Sequence, residues 1–359
     1  MSSDALGKLR QEIDQLDKEI QLIINRRAVL AQNVAEVKHK EQTNPVYYRP
    51  EREAQVLRDV KARNEGPLSD STMAYLFREI MSACLALEKP LQVAYLGPVG
   101  TYTQAAATKH FGDGAQLKPL GTIAEVFREI EAGGADFGVV PVENSTEGVV
   151  NHTLDMFLKS PLSIASDIEM PIHHQLLSVK GVQEGIRQVC AHQQALAQCR
   201  EWLDANFPNI PRVAVSSNAE AASLAVKDES TAAIASDAAA TLYNLTMIAC
   251  NIEDDPNNTT RFLVIGNQLV DRSGDDKTSL MVSVHNNSGA LYRLLQPLAK
   301  HGVSMTRIES RPSRLSKWDY VFFVDLDGHV SDDNIASALA ELKNEAVQVK
   351  VLGSYPRSH

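Results

Sequence analysis

The sequence predicts a multidomain protein: an all-α segment, then an α/β segment, then a smaller α+β segment. Three observations lead to this prediction. Apolar residues recur at steps of three and four near the start, short apolar strands alternate with helices in the middle, and roughly the last eighty residues read β-α-β-β-α-β. A chain of 359 residues is long enough for about two or three domains, each with its own core.

The first segment, residues 1–90, is predicted to contain three helices. The first helix runs to about Lys40 and is broken at Asn44-Pro45. A second helix spans roughly 50–64, and Ser69 is suited to cap a third. Because a first helix of ~50 Å is too long for two short helices to cover, we expect the chain to dimerise through it.

One charged residue interrupts an apolar stripe on the first helix. The stripe consists of Leu6, Leu9, Ile13, Leu16, Ile20, Ile23, Leu30, Val34 and Val37. Arg27 stands in the gap, and Lys38 lies on nearly the same face, roughly 16 Å further along. A buried guanidinium without an anionic partner costs several kcal/mol. Arg27 therefore indicates either an ion pair with Glu53 or Glu88 or a site for a small dicarboxylate.

This segment resembles the all-helical chorismate mutase family over roughly residues 5–90. The resemblance rests on the spacing of Arg10, Arg27, Lys38 and the neighbours Arg52 and Glu53. It implies an intertwined dimer that converts chorismate to prephenate by a pericyclic rearrangement, without a nucleophile or a proton transfer. It further implies that Arg10 of the partner protomer, Arg27 and Arg52 bind the substrate carboxylates. Lys38 would donate to the enolpyruvyl ether oxygen, and Glu53 would bind the ring hydroxyl.

Three positions depart from the pattern of that family. Arg49 stands where some members have an aspartate that helps bind the hydroxyl, and Cys84 stands where others have serine. Glu88 replaces a glutamine that donates to the ether oxygen, and a carboxyl group can donate there only when protonated. We therefore expect mutase activity to fall as the pH rises through the pKa of Glu88.

The middle segment, residues 91–270, is predicted to be a two-lobed α/β unit whose chain returns to its first lobe near 247–266. It carries three polar turns, at residues 97–103 (GPVGTYT), 141–148 (PVENSTEG) and 258–262 (NTTRF). Each alone is typical of an ordinary capped turn. Three of them in one α/β unit, with an arginine beside hydroxyl groups, favour binding of a small carboxylate.

These three turns resemble those of prephenate dehydratase, which implies a periplasmic-binding-like fold. That family removes the ring hydroxyl and one carboxylate of prephenate together to give phenylpyruvate. The resemblance implies that the Thr260 hydroxyl assists the leaving group, that Arg261 binds a carboxylate, and that Thr101, Asn144 and Ser145 orient the ring.

Further residues of this segment are assigned by the same resemblance. Glu143, Gln198 and Phe262 complete the expected dehydratase site. Ala191 stands before His192 where the family often has serine, so that hydroxyl is absent here. The three histidines at positions 173, 174 and 192 are expected to be structural rather than catalytic.

The last segment, residues 277–356, is predicted to be ferredoxin-like and resembles an ACT regulatory domain. Gly302 is suited to end its first helix. The resemblance implies feedback inhibition by phenylalanine, bound between paired ACT domains by two motifs. These comprise Gly289, Ala290 and Leu291, and then Glu309, Ser310, Arg311 and Pro312.

The totals exclude several other classes of protein. A net charge of −10 disfavours nucleic acid as a partner, and no apolar run reaches the ~20 residues of a membrane span. The four cysteines lack metal-ligand spacing, which predicts reduced cytoplasmic thiols and no metal. Neither implied reaction needs an organic cofactor.

The three segments occur in the order of the bifunctional chorismate mutase–prephenate dehydratases, which favours that function. Two alternatives stay open. The chain could be an amino-acid sensor without catalysis, in which the helical segment only dimerises, although Thr260 beside Arg261 argues against this. It could also be a dehydratase whose mutase segment has decayed, which the departures at Arg49 and Glu88 permit.

Overall fold

The computed structural model describes residues 2–41, 46–285, 287–312 and 320–358, with the backbone alone for residues 2–4. The chain divides into two compact units. The first extends to Leu91 and includes residues 111–116, and the second holds residues 92–110 and the chain from Leu117 onward. The break expected at Asn44-Pro45 lies outside the described residues.

The first unit consists of the three predicted helices, α1 (Ser2–Glu41), α2 (Pro50–Ala62) and α3 (Asp70–Glu88). Pro50 occupies the first turn of α2, where a missing N–H costs nothing. The Ser69 side chain accepts a hydrogen bond from the backbone N–H of Thr72 and so caps α3. The helix signals in the sequence are therefore confirmed.

The apolar stripe of α1 is not buried within this chain. Its members are more than half exposed; Leu9 is 57% exposed and Leu30 is 57% exposed. The covered residues of α1, which contacts α3, follow a neighbouring line through Ile24, Ala31 and Ala35. The stripe is therefore open in a single chain, because small residues rather than the leucines allow α3 to approach. The expected dimer through α1 stays a prediction.

The second unit begins with alternating strands and helices. In chain order these are β1 (Gln92–Leu96), α4 (Tyr102–Phe111), β2 (Gln116–Leu120), α5 (Ile123–Glu131), β3 (Phe137–Asn144), β4 (Gly148–Val149), α6 (Asn151–Phe157), β5 (Ser163–Pro171), β6 (Gln175–Ser178), β7 (Gln188–His192), α7 (Gln193–Gln198), α8 (Arg200–Asn206), β8 (Arg212–Val215), α9 (Asn218–Lys227), β9 (Thr231–Ala235), α10 (Asp237–Leu242), β10 (Thr246–Ala249) and β11 (Thr259–Gly266).

These strands form two sheets, as the predicted two lobes require. The first has the order β2-β1-β3-β11-β5, with β4 paired to β3, and the second has the order β10-β6-β9-β7-β8. Strand β11 returns to the first sheet and lies antiparallel between β3 and β5. The predicted return of the chain is thus confirmed, and it brings residues distant in sequence to one strand end.

A third sheet ends the chain. Its elements are β12 (Asp276–Val284), α11 (Ala290–Lys300), β13 (Met305–Pro312), β14 (Tyr320–Asp327), α12 (Asp333–Glu345) and β15 (Gln348–Pro356), with strand order β13-β14-β12-β15. This is the predicted ferredoxin-like arrangement. Gly302 follows α11 with φ +65°, which confirms the predicted left-handed cap.

The third sheet is covered on both faces. Val282 and Val324 pack with residues of α11 and α12 in one apolar cluster. Phe323 and Tyr355, from the other face, share a cluster with Ile164 of β5. The third sheet therefore docks directly on the first lobe of the α/β fold.

Gly353 of β15 makes this docking possible. A Cβ built at this position would lie 2.2 Å from the carbonyl oxygen of Ile164, so the two backbones would have to separate. We expect Gly353→Ala to destabilise the second unit by about 1–3 kcal/mol, the usual cost of overpacking. Thermal unfolding of the full chain measures this effect. Gly66→Ala, at an open position, is the matched control, and equal unfolding midpoints for both variants would contradict the prediction.

Candidate active sites

In the helical unit, α1 and α3 bring two cations near the partly buried acid Glu88. Burial raises the pKa of Glu88 above its ordinary value, while the charges of Lys38 and Arg27 act in the opposite direction. The Oε2 atom of Glu88 is buried without a hydrogen-bond partner among the described residues. A buried oxygen left open beside two cations can take part in binding a ligand.

Lys38 is held at the end of α1 by the segment that follows it. Its Nζ atom donates to the carbonyl oxygen of Val46 at 3.1 Å and lies 5.6 Å from the centre of the Tyr47 ring. An ammonium group keeps two further N–H donors after one such hydrogen bond. The Lys38 ammonium group can therefore still donate to a ligand oxygen.

Glu53 has a different neighbourhood from the one expected. Its Oε1 accepts from Nε of Arg78 at 3.3 Å, and the hydroxyl of buried Tyr48 donates to it. Burial raises the pKa of Glu53, and Arg78 opposes this rise. The alternative in which Glu53 neutralises Arg27 is wrong, because Glu53 pairs with Arg78. Arg78 and Tyr48 were missed because neither interrupts an apolar stripe.

The other predicted mutase residues are spread over this unit. Arg49 lies 3.7 Å from Glu51, so its guanidinium already faces an acid. Arg52 and Arg10 are exposed, and Cys84 is buried on α3. Arg10 lies about 25 Å from Arg27 along α1, so within one chain the two side chains cannot meet on one small ligand.

In the α/β unit, the register of β3 and β11 builds the second site. Thr260 lies opposite Asn144, and Arg261 lies opposite Glu143. Side chains alternate between the faces of a strand, so the first pair points to one side of the sheet and the second pair to the other. On the first side, Nδ2 of Asn144 donates to Oγ1 of Thr260 at 2.8 Å.

The orientation of the Asn144 amide is fixed by its surroundings. Its Oδ1 accepts from the backbone N–H groups of Thr146 and Glu147, each at 3.1 Å, and a backbone N–H can only donate. The Nδ2 of Asn144 must therefore face Thr260, whose Oγ1 accepts this bond. This bond does not use the Thr260 hydroxyl proton, which can therefore be donated to a ligand.

Gln198 approaches this pair from the second lobe. Its Nε2 donates to Oγ1 of Thr146 at 2.8 Å, and the Thr146 hydroxyl donates to Oδ1 of Asn144 at 2.7 Å. Thr146 was not among the predicted site residues. A hydroxyl group inside the PVENST motif, two positions after Asn144, was the available signal.

Two other predicted residues have structural contacts. The hydroxyl of Ser145 accepts from the backbone N–H of Thr259 at 3.0 Å and ties the turn to β11. The hydroxyl of Thr101 donates to the carbonyl of Leu96 at 3.2 Å, which supports the glycine-rich turn before α4.

Arg261 and Glu143 face away from Thr260, which corrects the expectation that they bind substrate. Arg261 Nε donates to Asp167 at 3.0 Å and its NH1 donates to Asp325 of β14 at 2.6 Å. Glu143 pairs with Nε of Arg307 of β13 at 2.8 Å. One step along a strand reverses the face, so the neighbour of Thr260 necessarily points toward the third sheet.

The contacts of Arg261 form a buried network that includes the acids Asp167 and Asp325. Although burial opposes ionisation, Arg261 and Lys277 lower the pKa of Asp167 below its ordinary value. Tyr355 completes the network, with its hydroxyl 3.1 Å from NH2 of Arg261. The network therefore joins β5 and β11 to β12, β14 and β15. Phe262, also expected to bind substrate, is 2% exposed and lies in the core.

The two motifs that are expected to bind phenylalanine lie at the start of α11 and on β13. Gly289 has φ +78° just before α11, Ala290 begins that helix, and Leu291 is 43% exposed. On β13, Ser310 and Pro312 are exposed, whereas Glu309 and Arg311 are partly covered.

Arg311 does not face an open amino-acid site. Its NH1 donates to the carbonyl of Asn151 at 2.6 Å and pairs with Asp155 of α6 at 2.7 Å. The expectation that its side chain binds phenylalanine is corrected: Arg311 joins β13 to the first lobe.

Within the described ranges, no group of three or more histidine, cysteine, aspartate and glutamate side chains is arranged to hold a metal ion. All four cysteines are free thiols. Among the described helices, none has the length and apolar character needed to cross a membrane.

Three family models match the chain in succession. Chorismate mutase type II matches residues 9–89, prephenate dehydratase matches residues 93–269, and the ACT domain matches residues 278–344. The first two matches contain the two sites described above. The ACT-domain match contains α11, β13 and β14 in full.

Two relatives match over nearly the whole chain. The bifunctional chorismate mutase/prephenate dehydratases of Pseudomonas aeruginosa and Stutzerimonas stutzeri are both 54% identical to it, over 359 and 360 residues. The alignments cover 99% of this chain and 98% and 99% of the relatives. A solved prephenate dehydratase from Arthrobacter aurescens, in complex with L-Phe, is 36% identical with a TM-score of 0.69, covering 74% of this chain and 90% of that one.

Proposed function

Because this chain belongs to the bifunctional chorismate mutase/prephenate dehydratase family, we propose that it converts chorismate to prephenate and then prephenate to phenylpyruvate. The first reaction is assigned to the helical unit and the second to the α/β part of the second unit. The observation that carries the proposal is the fixed amide of Asn144, which leaves the Thr260 hydroxyl as a free donor.

For the mutase reaction, the protein acts by holding a compact substrate conformer. Arg27 and Arg52, with Arg10 of a partner protomer, bind the two carboxylates. Lys38 donates to the ether oxygen, on which negative charge develops as the carbon–oxygen bond breaks, and the new carbon–carbon bond forms in the same step. Glu53 and Arg49 remain the candidates for binding the ring hydroxyl, and Cys84 remains a candidate for contact with the substrate.

A second copy of this chain completes the mutase site. The exposed apolar stripe of α1 offers a long surface for a partner helix, and Arg10 can reach a carboxylate only in another protomer. The homodimer is therefore part of the proposal, and four free thiols support a reducing, cytoplasmic setting. Analytical ultracentrifugation of the full chain measures the oligomeric state.

Glu88 gives the mutase reaction a pH dependence. Because burial raises the pKa of this carboxyl group, its protonated, donating form persists above the ordinary range and is lost as the pH rises. We expect mutase activity of the wild type to decline with rising pH, whereas Glu88→Gln stays active because its amide donates at every pH. Parallel pH–rate profiles for the two proteins would remove Glu88 from this role.

For the dehydratase reaction, Thr260 assists departure of the ring hydroxyl. Its O–H donates to the leaving oxygen, the ring carbon–oxygen bond breaks, and the electrons come from the bond that releases carbon dioxide. The products are phenylpyruvate with its aromatic ring, carbon dioxide and hydroxide. Thr260 keeps its proton and only donates a hydrogen bond, and the released hydroxide takes up a proton from solvent to become water. Asn144 stabilises the Thr260 oxygen through its Nδ2–H, and Gln198 holds the other lobe next to this pair.

The ACT domain regulates this site through the buried network around Arg261. Phenylalanine is bound at residues 289–291 and at the exposed side of β13, and it favours one conformation of the third sheet. Arg261 connects this sheet to β11, the strand that carries Thr260. We expect Asp325→Asn, which removes one acid of this network, to weaken inhibition by phenylalanine. Dehydratase rates measured with and without phenylalanine give the inhibition ratio.

The matched control for that experiment lies on the same strand. Asp327→Asn removes an acid that pairs with Arg357 at the surface rather than with Arg261. Inhibition of this variant should equal that of the wild type. The same loss of inhibition in both variants would show that the Arg261 network is not the connection.

Assays with each of the two substrates separate the proposed function from its alternatives. Purified protein supplied with chorismate and no other addition is expected to form phenylpyruvate. A sensor without catalysis would form neither prephenate nor phenylpyruvate. A dehydratase with an inactive helical unit would convert supplied prephenate but leave chorismate unchanged.

A further inference from the structure

We propose that His174 is a positioning residue for the dehydratase reaction, acting through Gln198 on the pair of Asn144 and Thr260. The proposal rests on the dehydratase function assigned above. His174 lies just before β6, on the segment that connects the two lobes, and is 2% exposed.

A continuous chain of hydrogen bonds joins this histidine to the reacting hydroxyl. Nε2 of His174 lies 2.8 Å from Oε1 of Gln198, and Nε2 of Gln198 lies 2.8 Å from Oγ1 of Thr146. Thr146 continues to Asn144 at 2.7 Å, and Asn144 continues to Thr260 at 2.8 Å. This chain of hydrogen bonds crosses from the second lobe to the first.

The direction of every bond in this chain can be assigned. Two backbone N–H groups fix Oδ1 of Asn144 as an acceptor, so the Thr146 hydroxyl must donate to it. The Thr146 oxygen then accepts from Nε2 of Gln198, which leaves Oε1 of Gln198 facing His174. Only an N–H can meet this oxygen, so His174 carries its proton on Nε2.

The other contacts of His174 agree with this tautomer. The Tyr102 hydroxyl lies 2.6 Å from the carbonyl oxygen of His173 and 3.1 Å from Nδ1 of His174, so its proton faces two acceptors. Glu253 accepts the backbone N–H of His174 at 2.8 Å and fixes the main chain. Burial lowers the pKa of His174, which favours the neutral ring, although Gln198 and Glu253 oppose this shift and His173 adds to it.

All donors of the chain point toward Thr260. Successive hydrogen bonds of the same direction polarise one another, so an N–H at the start strengthens the donor at the end. His174 also prevents the Gln198 amide from rotating, which would present a donor to the wrong side. Loss of the His174 donor should therefore slow the chemical step without weakening substrate binding.

Three variants test this coupling. His174→Met is expected to lower kcat for phenylpyruvate formation about tenfold, the effect of one hydrogen bond of ~1.4 kcal/mol, with KM for prephenate unchanged. Gln198→Met is expected to lose at least as much. The double variant should be no slower than Gln198→Met, because His174 acts only through Gln198. Losses that multiply in the double variant would overturn the proposal.

A second pair of variants covers the case in which His174→Met does not fold. Glutamine at position 174 can place an N–H near the position of Nε2, whereas asparagine reaches only the position of Nδ1. We expect His174→Gln to retain most of the wild-type kcat and His174→Asn to lose it. Equal rates, or the reverse order, would overturn the proposal.

Two controls keep this test separate from the assigned function. His152→Met changes an exposed histidine of α6 and should leave kcat unchanged. Mutase activity should persist in every variant, because His174 lies in the other unit. If the wild type forms no phenylpyruvate from prephenate, the dehydratase function itself is contradicted. If the wild type is active and the His174 variants have the same kcat, only the positioning role is contradicted.

Discussion

Replacing Thr260 by valine is expected to lower kcat for phenylpyruvate formation by ~10²- to 10³-fold, the usual cost of removing one donor to a developing negative charge. Valine has nearly the shape of threonine but cannot donate to the leaving oxygen. Asn144 keeps its orientation, because two backbone N–H groups hold its Oδ1 independently of Thr260. The binding of prephenate should therefore change little.

The neighbouring threonine provides the control for this experiment. The hydroxyl of Thr259 donates to the carbonyl oxygen of Asn257 at 3.1 Å, and it has no part in the chain that leads to Thr260. Thr259→Val makes the same chemical change one position away and should retain most of the activity. Chorismate consumption should continue in both variants. A Thr260→Val enzyme with near wild-type turnover would remove the hydroxyl from the mechanism.

Lys38→Met is expected to lower the mutase kcat by a similar ~10²- to 10³-fold, because the charge that develops on the ether oxygen loses its cationic donor. Methionine keeps most of the side-chain length and apolar surface. Loss of Lys38 also removes a positive charge beside Glu88, which should raise the pKa of that carboxyl group further. Conversion of chorismate to prephenate, followed at two pH values, measures both effects.

Lys40 is the matched position for that variant. It lies in the last turn of the same helix and is exposed. Lys40→Met should leave mutase activity unchanged, and both variants should convert supplied prephenate at the wild-type rate. Equal loss in the two variants would indicate a general effect of charge at the end of α1 and would contradict a specific role for Lys38.

Much of this molecule follows from local sequence signals. Helices are predicted by the caps at Ser69 and Gly302 and by the apolar residues that recur every three or four positions in α1. Each of these signals depends on residues within one or two helical turns. The motif around Thr260 predicts a polar strand end for the same reason. The pairing of Thr260 with Asn144 depends instead on the register of β11 on β3, which joins residues more than a hundred positions apart.

Three of the errors, all at residues on strands, share one physical origin. Glu143, Arg261 and Arg311 belong to motifs whose polar residues were all expected to face a ligand. Alternate positions of a strand point to opposite faces, and here the opposite face is covered by another domain rather than by water. A motif read along the chain does not distinguish these two faces when both are polar.

The sequence by itself determined the three segments, their helices and strands, and most of the polar groups near the two sites, since these depend on short-range periodicity and turn chemistry. Only the tertiary structure decided which polar groups meet. It turned Arg261 toward Asp167 and Asp325, paired Glu53 with Arg78, and linked His174 through Gln198 to Thr260. Burial forces each polar group to find a partner, and packing between distant elements decides which partner is within reach.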